Sequence, residues 1–268
     1  MKNTIHFLGT GGDAITVGKQ ILASGGIILT LEDNQFHLDP GPGALVKAKD
    51  YGINLREHIG VFISQNTLIH ANDANAVVFG MTHGGLDRFG VIVCTQHARH
   101  KTNPQGLLFE ESERHVERVI LLDEVDRISI NHIDIQPIPL KREATGAIGF
   151  RFATQNNSVA YISDTSYYDG LAAACKKPNV MIVWCRHPSS VTEKGTLNTD
   201  NITALLTKVK PKACFLTGFG IKLLDAGLVE QARAIQRKTK VTVIVAKDGL
   251  EADLDIYADK TKQTKLKR

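Results

Sequence analysis

Two sets of short strand-like segments, each followed by helices, constrain the fold of this chain of 268 residues more than any other feature. The first set begins at Thr4–Leu8, and strand-like segments return between Val91–Cys94 and Val159–Ile162. The last third alternates helix and strand and ends at the strand-like segment Val241–Val245. This order predicts an α/β (α+β) fold in which two sheets pack face to face with helices outside.

No linker, internal repeat or low-complexity segment divides the sequence, so residues 1–268 are predicted to form a single domain. Residues 95–115 are the least regular stretch and are interpreted as a flap or insertion. Residues 260–268 (KTKQTKLKR) form a basic tail.

Composition excludes several classes of protein. With 43% hydrophobic and 22% charged residues the chain is an ordinary soluble protein, and a net charge of +4 implies no general attraction to nucleic acid. Four widely spaced cysteines without a CxxC pair are typical of reduced thiols in the cytoplasm, where we expect this protein. No apolar run is long enough to span a membrane, so no membrane partner is expected.

Two glycine-rich turns follow strands in the first part of the chain, at Phe7–Asp13 (FLGTGGD) and Leu38–Leu45 (LDPGPGAL). The first lacks the helix and spacing of a dinucleotide-binding loop. In the second, a strand ends in Asp39, a Pro-Gly-Pro-Gly corner changes direction, and a helix begins. Together, at this separation, the two turns resemble the metallo-β-lactamase superfamily, in its branch of ribonuclease Z-like and archaeal-type metal-dependent hydrolases.

The resemblance continues along nearly the whole chain, through Gly80–Gly85 (GMTHGG), Ala147–Phe152 (AIGFRF) and Tyr161–Thr165 (YISDT) to Val209–Gly220 (VKPKACFLTGFG). It implies a four-layer αββα sandwich with a metal site at one edge of the two sheets. Members of this family use one or two Zn²⁺, Mn²⁺ or Fe ions to generate a hydroxide that attacks an ester, amide or phosphodiester.

The family's HxHxDH metal-binding motif is degenerate here. At its positions the chain has Gln65 and Thr67 for the two first histidines and Ile69 for the aspartate, and only His70 is retained. An isoleucine cannot ligate a metal, and glutamine and threonine are poor ligands for zinc.

The remaining ligand positions that the resemblance implies are also changed. The next histidine position falls at Arg142, with Lys141 as the alternative, and the last one is Gly218. A further family histidine corresponds to Thr196, whereas the bridging aspartate is retained as Asp164. We therefore expect no bound metal or other cofactor, the alternative being a single weakly bound zinc or other divalent ion.

The altered positions are still expected to converge on one pocket, because the segments that carry them are present in order. A cation within salt-bridge distance of Asp164 would replace the charge of the metal, while Gly218 would leave space for water or a small polar ligand. The alternative is that both cations point to solvent and Asp164 bonds only to backbone. The expected pocket consists of Gln65, Thr67, Lys141, Arg142, Thr196 and Gly218, beside the candidate catalytic residues His70 and Asp164.

Three functions follow from this pattern. The first is a non-catalytic pseudoenzyme that binds an unknown small ligand or a protein, with a homo-oligomer as a further possibility. The second is a residual phosphodiester or ester hydrolase, in which His70 and Asp164 hold one metal ion or act as a metal-free acid–base pair. The third is a nucleic-acid-associated protein that uses the basic tail. Cys185, which follows a strand near His187, is interpreted as a buried thiol rather than a nucleophile.

Overall fold

Two seven-stranded β-sheets stack face to face in the computed structural model of the chain, which describes residues 2–123, 125–142 and 146–259. In spatial order the first sheet consists of β14 (Glu251–Asp253), β1 (Thr4–Phe7), β2 (Ile27–Leu31), β3 (Asn34–Leu38), β4 (His58–Phe62), β5 (Val91–Cys94) and β6 (Arg118–Leu121). The second consists of β13 (Thr242–Val245), β12 (Ala213–Thr217), β11 (Val180–Trp184), β10 (Ser158–Ile162), β9 (Ile148–Ala153), β8 (Ile133–Pro139) and β7 (Ile128–Ile130).

Helices cover the outer faces of both sheets. They are α1 (Ala14–Gly18), α2 (Ala44–Asp50), α3 (Leu68–Ala71), α4 (Ala74–Met81), α5 (Glu110–His115), α6 (Leu171–Ala174), α7 (Thr199–Val209), α8 (Ile221–Asp225) and α9 (Leu228–Thr239). Helix α4 buries its apolar residues with the outer face of the first sheet, and α7 and α9 do so with the second. The predicted four-layer αββα sandwich is confirmed.

Aromatic side chains from both sheets meet in the core between them. The rings of Phe36 and Phe152 lie 5.5 Å apart and those of Phe62 and Phe150 lie 5.2 Å apart, each pair joining one sheet to the other. All four side chains are fully buried. This apolar layer supplies much of the driving force for folding.

Each sheet has a parallel half, and this decides where polar residues collect. Strands β3 to β6 are parallel in the first sheet, and β10 to β13 are parallel in the second. The loops that follow parallel strands leave from the same edge of a sheet. The two carboxyl edges meet, since Gln65 after β4 donates a hydrogen bond to the carbonyl of Asp164 after β10.

The helical spacing of Ala71–Met81 favours a helix over this segment, but the structure breaks it near its start. Helix α3 ends at Ala71, and α4 begins only at Ala74. At the break, the carboxylate of Asp73 accepts hydrogen bonds from the backbone amides of Gly43 and Ala44, both at 2.9 Å. It therefore pairs with backbone amides at the start of α2 that have no partner within that helix. This tertiary contact overrides the helical spacing of the sequence around Asp73.

Residues 95–115 contain a short 3₁₀ turn at Gln96–Ala98 and the helix α5. A partly buried ion pair of 2.6 Å between Arg99 and Glu113 holds this segment together. That it acts as a flap, and that residues 1–268 form one domain, stay predictions. The basic tail 260–268 lies outside the described residues. Within the described ranges, every helix is too short or too polar to cross a bilayer.

A directional chain of hydrogen bonds crosses the parallel pair β3 and β4 through two fully buried histidines. His37 Nε2 donates to the carbonyl of Gly25 at 2.8 Å, which leaves His37 Nδ1 to accept from His58 Nε2 at 3.2 Å. His58 Nδ1 then accepts from Gln35 Nε2 at 2.6 Å. Burial lowers the pKa of His37 to about 4 and that of His58 well below its ordinary value, so both rings are neutral at pH 7.

The two buried histidines predict a contribution to the free energy of unfolding that is lost on acidification. The unfolded chain binds protons at these histidines near pH 6.5, whereas the folded chain does so only at lower pH. The contribution of these two histidines to the free energy of unfolding is therefore expected to fall as pH decreases from 6.5 towards 4, and His58→Gln should leave the protein less sensitive to acid than the wild type. Urea unfolding across this range, with His132→Gln at an exposed site as control, provides the measurement. Parallel pH profiles for the wild type and His58→Gln would contradict the explanation.

Candidate functional site

The buried carboxylate of Asp164 is the centre of the polar cluster at the carboxyl edge. Its Oδ2 accepts a hydrogen bond from Arg142 Nη1 at 2.6 Å, and Arg186 Nη2 contacts the same oxygen. Arg142 lies after β8, Asp164 after β10 and Arg186 after β11. A cation does lie at salt-bridge distance from Asp164, as the sequence predicted, but two guanidinium groups supply the charge rather than one.

Arg142, and not Lys141, reaches the carboxylate. Lys141 extends its ammonium group over the ring of Tyr168, with Nζ 4.8 Å from the ring centroid. The Arg142 stem instead packs against Gly195, where an added Cβ would lie 3.2 Å from Arg142 Cγ. The choice that the sequence left open is therefore decided by which residue of the loop turns inward.

Opposing effects act on the ionisation of Asp164. Burial raises the pKa of its carboxyl above the ordinary value, while the charges of Arg186 and then Arg142 lower it. Its second oxygen, Oδ1, is buried and has no hydrogen-bond partner. The site thus carries two fixed positive charges around one carboxylate.

His70 lies beside this ion cluster and is neutral. A hydrogen bond of 2.7 Å joins its Nδ1 to Thr67 Oγ1, and its ring stacks on Trp184 with centroids 4.3 Å apart. Its Nε2 is buried without a partner. Burial, and after it the charges of Arg142 and Arg186, lower the pKa of His70 well below its ordinary value. Protonation of this ring, which would place a positive charge beside the two arginines, is therefore disfavoured.

Gln65 cross-links the two sheets at this edge. Its Nε2 donates hydrogen bonds to Ser163 Oγ and to the carbonyl of Asp164, both at 2.8 Å. The side chain is completely buried. At a position where the resemblance implies a metal-binding imidazole, the amide thus makes structural hydrogen bonds of its own.

The expected space at Gly218 does not exist, and that expectation is wrong. A Cβ atom at Gly218 would lie 2.3 Å from Cδ2 and Cε3 of Trp184, so the indole already fills the volume of a side chain there. The indole is fixed on both sides, because Nε1 donates to Tyr161 Oη at 2.9 Å and the ring stacks on His70. Gly218 also has a φ of +66°, which favours glycine.

A neighbouring carboxylate, Asp39, completes the buried polar layer. It accepts hydrogen bonds from the backbone amide and hydroxyl of Ser64 at 2.6 and 2.5 Å, and from Tyr161 Oη at 2.5 Å. Burial raises the pKa of Asp39 to about 7. The cavity that Asp39, Tyr161 and Trp184 help to line has a volume of only about 10 Å³, which suits one water molecule and no larger ligand.

Thr196 belongs to a separate loop contact. Its hydroxyl donates to the carbonyl of Glu193 at 2.9 Å, and the Glu193 carboxylate lies 2.8 Å from His187 Nε2. The loop reaches the ion cluster through Gly195, which packs on Arg142. The structure thus gathers Gln65, His70, Arg142, Asp164 and Gly218 at the edge, with Thr67 tied to His70.

Sequence reasoning missed the two residues at the end of β11, Trp184 and Arg186. The segment was considered only for Cys185, whose thiol is buried with a raised pKa and therefore suited to packing rather than attack. One signal was available: strand β11 pairs in parallel with β10, so Arg186 follows its strand at the same edge as Asp164.

The first glycine turn serves packing at this edge. A Cβ at Gly12 would lie 2.0 Å from the carbonyl oxygen of Gly218, and Gly11 forms a β-bridge with Phe219. The turn and the loop after β12 therefore approach backbone to backbone, which only glycine permits.

A divalent metal does not fit the side chains at this edge. Among residues 2–123, 125–142 and 146–259, no group of three or more histidine, cysteine, aspartate or glutamate side chains is arranged to hold a metal ion. The retained donors, His70 and Asp164, adjoin two guanidinium groups, and a metal beside them would add a dication to two fixed positive charges.

Comparisons with known proteins agree with the fold. Residues 34–219 match the sequence model of a family described as Beta-lactamase superfamily domain. An uncharacterized protein of Methanocaldococcus jannaschii is 25% identical over 257 residues, covering 95% of this chain and 96% of that protein. The metallo-β-lactamase fold protein YhfI from Bacillus subtilis is 16% identical, with a TM-score of 0.75 over 94% of this chain and 100% of that chain. Human tRNase Z, short form, is 13% identical, with a TM-score of 0.66 over 94% and 99%.

The arginine pair predicts unequal effects of substitution. Arg186→Ala is expected to lower the free energy of unfolding by about 3 kcal/mol, the lower end for a broken buried pair, because Arg142 would remain on Asp164. Arg142 is partly exposed and Arg186 would remain, so Arg142→Ala should cost about 1 kcal/mol. Adding Asp164→Asn to Arg186→Ala should recover more than half of the loss. Urea unfolding at pH 7.5 measures these values, and equal losses for both arginines would contradict the assignment.

The packing of Trp184 predicts a steric effect at Gly218 that can be separated from backbone strain. Gly52 has a nearly equal φ of +69° but nothing within 4 Å of an added Cβ. Gly52→Ala is expected to cost about 1–2 kcal/mol from the left-handed backbone alone. Gly218→Ala should cost about 1–3 kcal/mol more, because the methyl group meets the indole. Chemical denaturation of both variants tests this, and equal losses would show that Trp184 leaves room.

Proposed function

The chain belongs to the metallo-β-lactamase superfamily, and from that premise we propose that it is a non-catalytic member that binds a small ligand or a protein. Its structural neighbours include metal-dependent hydrolases, whereas this chain has replaced the donor set for such chemistry. In this proposal the sandwich is retained as a scaffold, and the loops at the carboxyl edge form the binding surface.

The observation that carries the proposal is the double ion pair on Asp164. Both guanidinium groups contact Oδ2, so that oxygen is already occupied and a metal bound through the other oxygen would still lie close to two positive charges. A dication about 4 Å from a single guanidinium is repelled by roughly 8 kcal/mol at the effective dielectric constant of proteins, twice the value for unit charges. Two retained donors do not offset such repulsion, since catalytic zinc sites use three protein ligands.

Arg142 is the residue of the ion cluster that a bound partner would contact. Its side chain is 24% exposed, while Asp164 is buried. Lys141 and Thr67 flank it as partly or fully exposed polar residues. A ligand or protein surface with a carbonyl or anionic group would meet this part of the edge first.

A second candidate is supported by the unpartnered atoms. Asp164 Oδ1 and His70 Nε2 are buried donor atoms without hydrogen bonds, the kind of atoms that a single weakly held zinc or other divalent ion would use in a residual hydrolase. A metal-free acid–base pair of these two residues is less favoured, because neither atom bonds to the other.

Other aspects of the proposal rest on sequence. The four cysteines are free and buried, which supports a cytoplasmic location. Association with nucleic acid through residues 260–268 and a homo-oligomeric state remain proposals of lower rank.

The proposal predicts that the wild-type protein, purified without an affinity tag and dialysed against Zn²⁺, retains well below one equivalent. Phosphodiester and ester substrates should remain intact with or without added Zn²⁺ or Mn²⁺. Elemental analysis and hydrolysis assays provide the measurements. Near one equivalent of zinc, a chelator-dependent fall in melting temperature and hydrolysis abolished by Asp164→Asn would instead establish the residual hydrolase.

A further inference from the structure

Arg186 is anchored more firmly in the edge than Arg142. Its side chain is 10% exposed against 24% for Arg142. Its backbone amide donates to the carbonyl of Leu197 at 3.1 Å, and its own carbonyl accepts from the amide of Gly220 at 3.1 Å. The loops that precede α7 and α8 thus hold the backbone of Arg186 from both sides.

We propose, on the basis of the proposed function, that Arg186 is a built-in counter-ion of Asp164 and takes the place of a divalent metal there. Its charge, and not only the loss of ligand residues, excludes metal from the edge. Arg186 lies at none of the ligand positions of the family motif, so restoring a ligand there would leave this exclusion in force.

The contacts of the retained donors support this role. His70 Nε2 and Asp164 Oδ1 are both buried and unpartnered, so donor atoms remain in place at the edge. What opposes a cation is the positive charge next to them, and Arg186 is the more deeply buried of the two arginines on Asp164 Oδ2, so water screens its charge less. Removing Arg186 should therefore matter more for metal entry than adding one more donor.

Two substitutions can separate donor number from charge. Arg142→His removes one cation and adds an imidazole beside His70 and Asp164, which brings the donor count to the three of catalytic zinc sites. In this background Arg186→Gln removes the second charge, Arg186→Met does so without a hydrogen-bonding group, and Arg186→Lys retains the charge. Arg99→Gln serves as a control, because it removes a partly buried arginine from a different ion pair, with Glu113.

The probe is Zn²⁺ alone, followed by equilibrium dialysis with elemental analysis and by thermal unfolding with and without the ion. We expect Arg142→His, and its combinations with Arg186→Lys or Arg99→Gln, to bind no stoichiometric zinc. Arg142→His/Arg186→Gln should bind about one equivalent, at least about tenfold more tightly than the lysine variant, with a zinc-dependent rise in melting temperature.

Each remaining outcome contradicts the inference. Stoichiometric zinc in Arg142→His alone would show that donor number was limiting, and a folded Arg142→His/Arg186→Gln protein without zinc would show that Arg186 is not the barrier. Should the glutamine and methionine variants both stay unfolded with zinc present, the ion does not replace the charge of Arg186. The proposed function fails separately, since only zinc bound to the wild type would overturn it.

Discussion

A carboxylate buried at the junction of two sheets requires a compensating positive charge. The structure of this edge depends on the residues that supply it. Asp164 is held by guanidinium groups from two different loops, one after β8 and one after β11. The desolvation of a buried carboxylate is too costly to leave without compensation. The loops that carry Arg142 and Arg186 are therefore tied to the end of β10, and the edge is ordered by an internal ion cluster.

Side-chain packing and hydrogen bonding define this edge together with charge. The indole of Trp184 occupies the space that a side chain at position 218 would need, and Gln65 uses its amide to bridge the sheets. Each of these side chains makes well-defined contacts of its own, as close-packed protein interiors require. The edge is thus a close-packed polar core with its own hydrogen bonds.

Apolar packing stabilises the layers of the sandwich. Phenylalanines of the two sheets form the central layer, and the apolar faces of α4, α7 and α9 close the outer layers. The polar edge contributes specificity of loop arrangement, whereas apolar burial supplies most of the driving force for folding. For this reason the fold itself does not specify the chemistry of the edge.

The sequence by itself predicted the two-sheet architecture, because strand periodicity and glycine turns are local properties, and the family resemblance supplied the candidate ligand positions. It left open whether a cation pairs with Asp164. Only the tertiary structure selected Arg142 over Lys141 and brought Arg186 and Trp184 to the same edge. Lateral neighbours in a parallel sheet are separated by long crossovers, so the spacing of residues 164, 186 and 218 does not encode their contact. Likewise, the absence of a side chain at Gly218 does not reveal that an indole from the neighbouring strand fills the space.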